Sequence, residues 1–357
     1  MFKDKVINVE GIDNSGSDTY RRFDYQIACV METILTLSKS NTDFFVLLDY
    51  LDDYVIVENS GKKNESITFV QVKSKKDGPI TINTVVKKEW IKKQVSNYHD
   101  FLDSSVKNIL KTNFGIKLED STIIDSINYK PLSELEEEGK AKELVKQIKN
   151  ELNGVGELDD FGLVCANLAL NSLESHLIGY LNEYANNNSY QNLSVLAIKT
   201  IYEKLWLDLQ KKQEYVPSDE EKKSFDTIYE KKGLNYSKVV DIFKTTRDID
   251  IPEKKQIDAF YSKNHFNLGL FTYPEFLLNY HEFQTDTVLY GSELLLECCN
   301  FVKKYLDDIK KCSDIYEVSV LIKDILDKDI AVCDSEYYKK NSIYIAGHIC
   351  FKMFYED

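Results

Sequence analysis

Two short apolar runs flank a polar segment early in the chain, and this pattern is the clearest structural signal. Residues 53–58 and 67–73 are rich in β-branched and aromatic residues. Residues 59–64, Asn-Ser-Gly-Lys-Lys-Asn, carry turn-forming side chains between them. Strong strand formers around such a turn predict an antiparallel β-hairpin.

The register of this hairpin brings three polar residues together. With the turn centred near Lys62, Asp53 lies opposite Gln71 and one pleat from Lys73. Gln71 and Lys73 share a face because side chains two apart in a strand point the same way. An acid, an amide oxygen and an ammonium therefore meet at the open end of the hairpin.

Periodic apolar positions predict a series of further elements. Helices are predicted over 18–39, 84–110, 140–152, 171–185 and 194–213, a strand or helix end over 43–48, and a strand over 161–170. Past residue 233 the chain is aromatic-rich, and its clearest helical segments are 253–263, 274–311, 314–328 and 334–356.

The stretch 211–233 is charged and poorly patterned, which favours a linker. We therefore predict two domains, an α/β domain over residues 1–215 and a helical domain over residues 216–357.

Composition narrows the protein class. The 357 residues have a net charge of −14 and seven cysteines without a CxxC pair, which indicates reduced thiols rather than a disulfide framework or zinc site. No apolar run is long enough to span a membrane, and the N-terminus lacks a signal-peptide pattern. These features predict a cytoplasmic protein that does not enter a membrane.

The three residues of the hairpin suit phosphodiester hydrolysis. Mg²⁺ prefers a few oxygen ligands, and Asp53, the Gln71 side-chain oxygen and the Val72 backbone carbonyl form a minimal set. Lys73 is placed to orient water or to neutralise charge at a phosphate. Asp49 is a second candidate ligand from the adjoining turn. The alternative is that these are ordinary polar residues at the end of a strand.

A wider motif surrounds the hairpin. It begins with the pattern Gly-x5-Arg-Phe-x-Tyr-Gln over residues 16–26 and continues with an apolar helix. The acid-ended strand, the turn, the segment Phe-Val-Gln-Val-Lys over residues 69–73 and a helix bearing Trp90 follow. Over roughly residues 14 to 100 this order resembles the double-stranded DNA endonucleases that serve as effectors in bacterial anti-phage systems of the CBASS and Lamassu type. They are a branch of the PD-(D/E)XK superfamily.

The resemblance implies a fold, an activity and partners. The fold is restriction-endonuclease-like, a mixed sheet flanked by helices, and the activity is Mg²⁺- or Mn²⁺-dependent cleavage of double-stranded DNA with little sequence preference. Asp53, Gln71 and Lys73 take the catalytic positions. Glu32 is a candidate for the helical carboxylate that some members direct at the metal, and the favoured alternative is a solvent-facing side chain. Residues 1–215 are then the nuclease domain, and the helical region over 216–357 takes the regulatory or partner-binding role. The Lamassu branch further implies an SMC-like or other ATPase as partner, and control by that partner or by homo-oligomerisation.

Two features bear on DNA binding and activity. Seven lysines stand against two acids over residues 73–93, although the whole chain is acidic. Lys75, Lys76, Lys87 and Lys88 are the candidate contacts to DNA phosphates.

Most of the superfamily carries an acid where this chain has Gln71. That departure supports the alternative of a catalytically inactive nuclease fold that binds DNA or protein.

Overall fold

A computed structural model gives the structure of the chain. It describes residues 20–40, 42–75, 78–101, 104–166, 168–190, 193–249, 292–312, 315–328 and 335–355, together with the single positions 259, 283, 286 and 287.

Ten strands form two sheets in this part of the chain. The strands are β1 (Phe44–Leu48), β2 (Tyr54–Glu58), β3 (Ser66–Lys73), β4 (Ile80–Thr81), β5 (Ser105–Thr112), β6 (Ile116–Lys117), β7 (Ile123–Ile124), β8 (Lys130–Pro131), β9 (Phe161–Cys165) and β10 (Gly233–Asn235). The main sheet has seven strands in the order β10-β1-β2-β3-β5-β9-β8, and β4-β6-β7 form a small second sheet. In the main sheet β5 runs parallel to β3 and β9, and the other pairs are antiparallel.

Helices make up the rest of the described elements. They are α1 (Tyr20–Leu37), α2 (Ile82–Lys87), α3 (Lys92–Asp100), α4 (Leu132–Glu137), α5 (Lys142–Leu152), α6 (Leu173–Asn187), α7 (Val195–Glu214), α8 (Phe225–Lys232), α9 (Tyr236–Ile249), α10 (Ser292–Lys303), α11 (Leu306–Ile309), α12 (Ile315–Leu326) and α13 (Glu336–Tyr355). Short 3₁₀ turns occupy Leu158–Asp160 and Glu221–Lys223. No helix among the described residues is long and apolar enough to cross a membrane.

The predicted α/β class is confirmed, with a mixed sheet, flanking helices and a helical C-terminal region. The hairpin register is confirmed as well, because β2 and β3 pair Tyr54 with Val70 and Glu58 with Ser66. One further step along this ladder sets Asp53 opposite Gln71.

The predicted helix over 84–110 is wrong. The segment instead holds α2, α3 and the central strand β5, which lies between β3 and β9. Val106 and Leu110 are both buried, and their spacing of four residues fits a helix as well as a strand. Pairing with β3 and β9, which is invisible to local periodicity, selects the strand.

The charged stretch 211–233 is not an extended linker. It contains helix α8, and the three residues that begin at Gly233 form β10 at the edge of the main sheet against β1. The helix packs through Phe225 and Tyr229, whose rings contact Phe45 of β1. Charged residues dominate the sequence because exposed positions in this segment outnumber the buried ones.

The chain forms two compact units. The first comprises Met1–Tyr184 and Leu205–Val240, and the second comprises Ala185–Lys204 and Asp241–Asp357. The predicted domain boundary after residue 215 stays a prediction.

Both faces of the main sheet are buried in the first unit, and the larger described core lies on the face of Ile67. There Ile67 and Phe69 of β3 are fully buried against apolar residues from α2 to α5. The second unit has its own core, formed largely by α10, α12 and α13. The fully buried members of that core include Leu295, Cys298, Ile322, Leu326, Ile345 and Cys350.

Candidate active site

The predicted catalytic residues meet at one end of β2 and β3. Asp53 directly precedes β2, and its Oδ2 lies 3.7 Å from the Nζ of Lys73. Both side chains are partly exposed, Asp53 by 18% and Lys73 by 27%. Gln71 shares the face of Ile67 and Phe69 by strand alternation. The strand therefore begins in the apolar core and ends in a polar, solvent-reaching site.

The carboxylate of Asp53 is fixed by the backbone of β3. The amide nitrogen of Val72 donates a hydrogen bond of 2.6 Å to Asp53 Oδ2. Strand β2 begins only at Tyr54, so this carboxylate continues the pairing of the hairpin beyond the backbone ladder. Hydrogen bonds of this kind to an ionised group are short and strong. Asp53 therefore has a defined orientation toward Lys73.

Gln71 brings an amide oxygen to this end of the strand. Its Oε1 atom is buried and accepts no hydrogen bond from any residue that the structure describes. Buried acceptors are paired as a rule, because an unpaired one costs about 1–3 kcal/mol. Beside the Asp53 carboxylate, this oxygen fits a ligand position for a hard cation such as Mg²⁺.

Acidic ligands are scarce around this position. Within the described ranges, no group of three His, Cys, Asp or Glu side chains is arranged to hold a metal ion. The predicted minimal set consists of one carboxylate, one amide oxygen and one backbone carbonyl, and its role in binding a metal stays a prediction. A cation here would retain several water ligands, which suits Mg²⁺ or Mn²⁺.

Asp52 lies beneath the site and is 3% exposed. Its Oδ1 accepts the Asp53 amide at 2.9 Å, and its Oδ2 accepts Gln94 Nε2 at 3.1 Å. Burial, and secondly the charge of Asp53, raises the pKa of Asp52 to about 7. Two adjacent acids thus have different roles, one inside the protein and one at its surface.

Comparison with known proteins assigns this architecture to a family. A family model for the Cap4 dsDNA endonuclease domain matches residues 14–213, more than half of the chain. The chain belongs to this family. The match covers the whole site and the strands and helices that carry it, and it confirms the predicted resemblance to anti-phage effector nucleases. No curated protein matches the chain.

Solved structures of Cap4 proteins are similar at low identity. The Acinetobacter baumannii Cap4 SAVED/CARF-domain containing receptor with cyclic trinucleotide 2'3'3'-cAAA is 11% identical, with a TM-score of 0.37 over 65% of this chain and 46% of that one. Its complex with 3'3'3'-cAAA is 12% identical, with a TM-score of 0.39 over 66% of this chain and 45% of that one. The Moraxella osloensis Cap4 SAVED/CARF-domain containing receptor is 14% identical, with a TM-score of 0.33 over 58% of this chain and 47% of that one. The chain thus spans less than half the length of these proteins, and the scores are too low to carry an argument.

The two additional ligand candidates in this Cap4 nuclease domain have lysine partners elsewhere. Asp49 Oδ2 lies 3.6 Å from Lys232 Nζ, which also donates to the Asp49 carbonyl at 2.8 Å. Glu32 Oε2 lies 2.7 Å from Lys111 Nζ, and its Oε1 accepts the hydroxyl of Tyr180 at 3.1 Å. These contacts favour structural roles for Asp49 and Glu32, and the ligand role of each stays a prediction.

Lys111 anchors a buried polar network. Burial opposes its charge, but Tyr54, Cys29 and Glu32 outweigh burial and raise the pKa of Lys111. Lys111 stands next to Val72 in the parallel pairing of β3 with β5, on the face opposite Gln71. The network therefore supports the strand from behind the site.

The predicted DNA-binding lysines differ in their surroundings. Lys87 ends α2, and both Lys87 and Lys88 are exposed. Lys75 is exposed, and its backbone amide is held by the Asn113 side chain at 2.8 Å. Lys76 lies outside the described residues. The role of all four in binding DNA stays a prediction.

Sequence reasoning missed the residues that hold the site from the helical side. Gln94 is buried in α3 and is absent from the predicted site residues, and Trp90 enters the sequence analysis only as the mark of a helix. The Nζ of Lys73 lies 5.9 Å from the Trp90 ring centroid, within range of a cation–π contact. The helical spacing of Trp90 and Gln94 was the available signal, but their partners are distant in sequence.

Proposed function

We propose that this Cap4 family member is a metal-dependent double-stranded DNA endonuclease that acts as an effector of anti-phage or anti-plasmid defence. The observation that carries the proposal is the convergence of Asp53, the unsatisfied Gln71 oxygen and Lys73 at one strand end. The family match over residues 14–213 supports the substrate class.

The residues at the site divide the task. Asp53 and Gln71, with the Val72 carbonyl, would hold a Mg²⁺ or Mn²⁺ ion, which supplies charge neutralisation at the scissile phosphate. Lys73 would orient the attacking water and stabilise negative charge on the phosphate oxygens. Gln71 cannot accept a proton at neutral pH. The proton of the attacking water must therefore pass to the substrate phosphate or to Lys73.

The sequence specificity we propose is low. DNA affinity in this account comes from lysines near the site that contact phosphates, and such contacts carry no base information. Lys75, Lys87 and Lys88 are the candidates for this role among the described residues.

Control by a partner or by oligomerisation is part of the proposal. The predicted Lamassu-like arrangement would pair this chain with an SMC-like or other ATPase. The described elements after residue 292 are all helices, which suits a partner-binding region. The similar solved Cap4 proteins are SAVED/CARF-domain containing receptors, and the one from Acinetobacter baumannii is solved with two different cyclic trinucleotides. We set direct control by a nucleotide as the competing arrangement. Adding either an ATPase partner or cyclic trinucleotides to the cleavage reaction discriminates between the two.

Plasmid cleavage tests the activity itself. Purified protein is incubated with supercoiled plasmid, linear duplex, single-stranded DNA or RNA, in Mg²⁺, Mn²⁺ or EDTA. We expect nicking and linearisation of the plasmid and shortening of the duplex with either metal, and none in EDTA. Cleavage that persists in EDTA, or that prefers RNA, would contradict the proposal.

The second candidate is an inactive nuclease fold that binds DNA or protein. Two observations favour it: Gln71 replaces an acid, and the chain has a net charge of −14. Such a module would bind duplex without cleaving it in any metal, alone or with its partner.

A further inference from the structure

Three residues of the segment 90–97 contact the site from the side of the sheet that carries Phe69 and Gln71. Gln94 and Asn97 are spaced i and i+3 in α3, which places them on one side of the helix, and Trp90 lies in the turn that precedes it. Trp90 lies near Lys73, Gln94 bonds Asp52, and Asn97 bonds the turn before Asp53. We call these three residues the α3 clamp.

Gln94 is the centre of the clamp. Its Nε2 lies 3.1 Å from Asp52 Oδ2, 3.3 Å from the Phe69 carbonyl and 3.2 Å from the Ile109 carbonyl. One amide group thus joins the entry to β2 with strands β3 and β5. Its Oε1 has no donor among the described residues, so the orientation with nitrogen toward three oxygens is the one that the surroundings support.

A chain of hydrogen bonds leads from Gln94 to the site. Gln94 donates to Asp52 Oδ2, Asp52 Oδ1 accepts the Asp53 amide, and Asp53 Oδ2 accepts the Val72 amide. Asn97 Nδ2 holds the Leu51 carbonyl at 3.2 Å, which fixes the same turn one residue earlier. The backbone before Asp53 is therefore held at successive residues, and its carboxylate has one direction.

We propose that Gln94 is a positioning residue for the nuclease reaction and acts through Asp52 to aim Asp53 at the metal position and at Lys73. Trp90 and Asn97 complete the α3 clamp. Trp90 restricts the position of the Lys73 ammonium, and Asn97 restricts the backbone of the turn at Leu51. The catalytic part of this inference rests on the proposed function, whereas the positioning part can be tested without activity. Outer-shell partners of this type are worth about 10- to 100-fold in activity or metal affinity.

The test uses matched amide variants in the full-length protein. Gln94→Leu removes the clamp donor at similar volume. Gln147→Leu is the control, because Gln147 Nε2 bonds the Val86 carbonyl at 3.4 Å and takes no part in the clamp. Asp52→Asn is the second variant, since one of its two bonds then becomes a contact between two donors. If Gln94→Leu does not fold, the Asp52→Asn variant decides the test.

Two measurements follow on each variant. The first is the proton chemical shift of the Val72 amide in valine-labelled protein, with Asp53→Asn to locate it. A short bond to a carboxylate moves this resonance downfield, so we expect it to move upfield in Gln94→Leu and Asp52→Asn but not in Gln147→Leu. The second is plasmid cleavage, where we expect kcat to fall about 10- to 100-fold with duplex affinity unchanged.

The outcomes separate the two claims. A Val72 resonance that stays at its wild-type position in the clamp variants overturns the inference, whatever their activity. A shifted resonance with wild-type kcat overturns the catalytic part. If wild-type protein cleaves no DNA with any metal or partner, the proposed function fails, and the Val72 resonance still decides whether Gln94 positions Asp53.

Discussion

At the scale of single residues, the site is defined by one neutral side chain. Asp53 and Lys73 lie 3.7 Å apart and offset each other's charge, while Gln71 contributes an oxygen without charge. Cation affinity follows the number of charged ligands, so this site should bind Mg²⁺ weakly by itself. Weak metal binding suits an effector that becomes active only in a defined assembly or on its substrate.

Gln71→Glu tests this argument. We expect Mn²⁺ affinity to rise about tenfold, because a carboxylate replaces an amide oxygen in the ligand set. Titration calorimetry of the purified protein measures this, with Gln147→Glu as a control that adds the same charge elsewhere. An equal gain in both variants, or no gain in Gln71→Glu, would argue against a ligand role for Gln71.

At the scale of elements, the sequence revealed local pairing and missed distant pairing. The hairpin could be predicted because its two strands are joined by a short turn, and the turn fixes the register of Asp53 and Gln71. Strand β5 was mistaken for helix because its parallel partners come from far along the chain. The bond from Gln94 to Asp52 spans 42 residues. Such a contact has no local signature, so the residues that support the site could not be read from the sequence.

The stretch 211–233 shows the same limit through Lys232. This residue is 2% exposed, and its Nζ donates to the Asp49 carbonyl at 2.8 Å and pairs with the Asp49 carboxylate. Burial lowers the pKa of Lys232. Its position in a lysine-rich sequence gave no sign that it differs from its exposed neighbours.

Lys232→Ala should therefore destabilise the nuclease unit. We expect a loss of about 3 kcal/mol in the free energy of unfolding, because a buried partner of Asp49 is removed. Lys231→Ala is the control, since Lys231 forms an exposed pair with Glu230 and should change stability by less than about 0.5 kcal/mol. Denaturant unfolding of both variants measures the difference. Equal stabilities would mean that α8 does not belong to the folded unit.

At the scale of the whole molecule, charge is unevenly distributed. The chain carries −14 overall, and lysines are concentrated in the segment that follows the site. In an acidic chain, a local excess of lysines would direct duplex DNA toward the site and oppose binding elsewhere.

The double variant Lys87→Glu/Lys88→Glu tests this distribution. We expect duplex affinity to fall. We also expect the slope of log affinity against log salt concentration to decrease by about one for each substituted lysine. Lys222→Glu/Lys223→Glu has the same change in net charge at another exposed lysine pair and serves as the control. Fluorescence anisotropy at several salt concentrations gives both quantities. Similar losses in the two variants would show a general charge effect without a DNA-binding surface at α2.

The most direct test of the active site is duplex cleavage by Lys73→Ala. Lys63→Ala is the control, because Lys63 is an exposed lysine at the opposite end of the same hairpin. With Mg²⁺, and with the activating partner where one is required, we expect Lys73→Ala to lose cleavage while its fold and duplex affinity remain. Lys63→Ala should cleave like the wild type. Wild-type rates in Lys73→Ala would contradict the assignment of this strand end as the nuclease site.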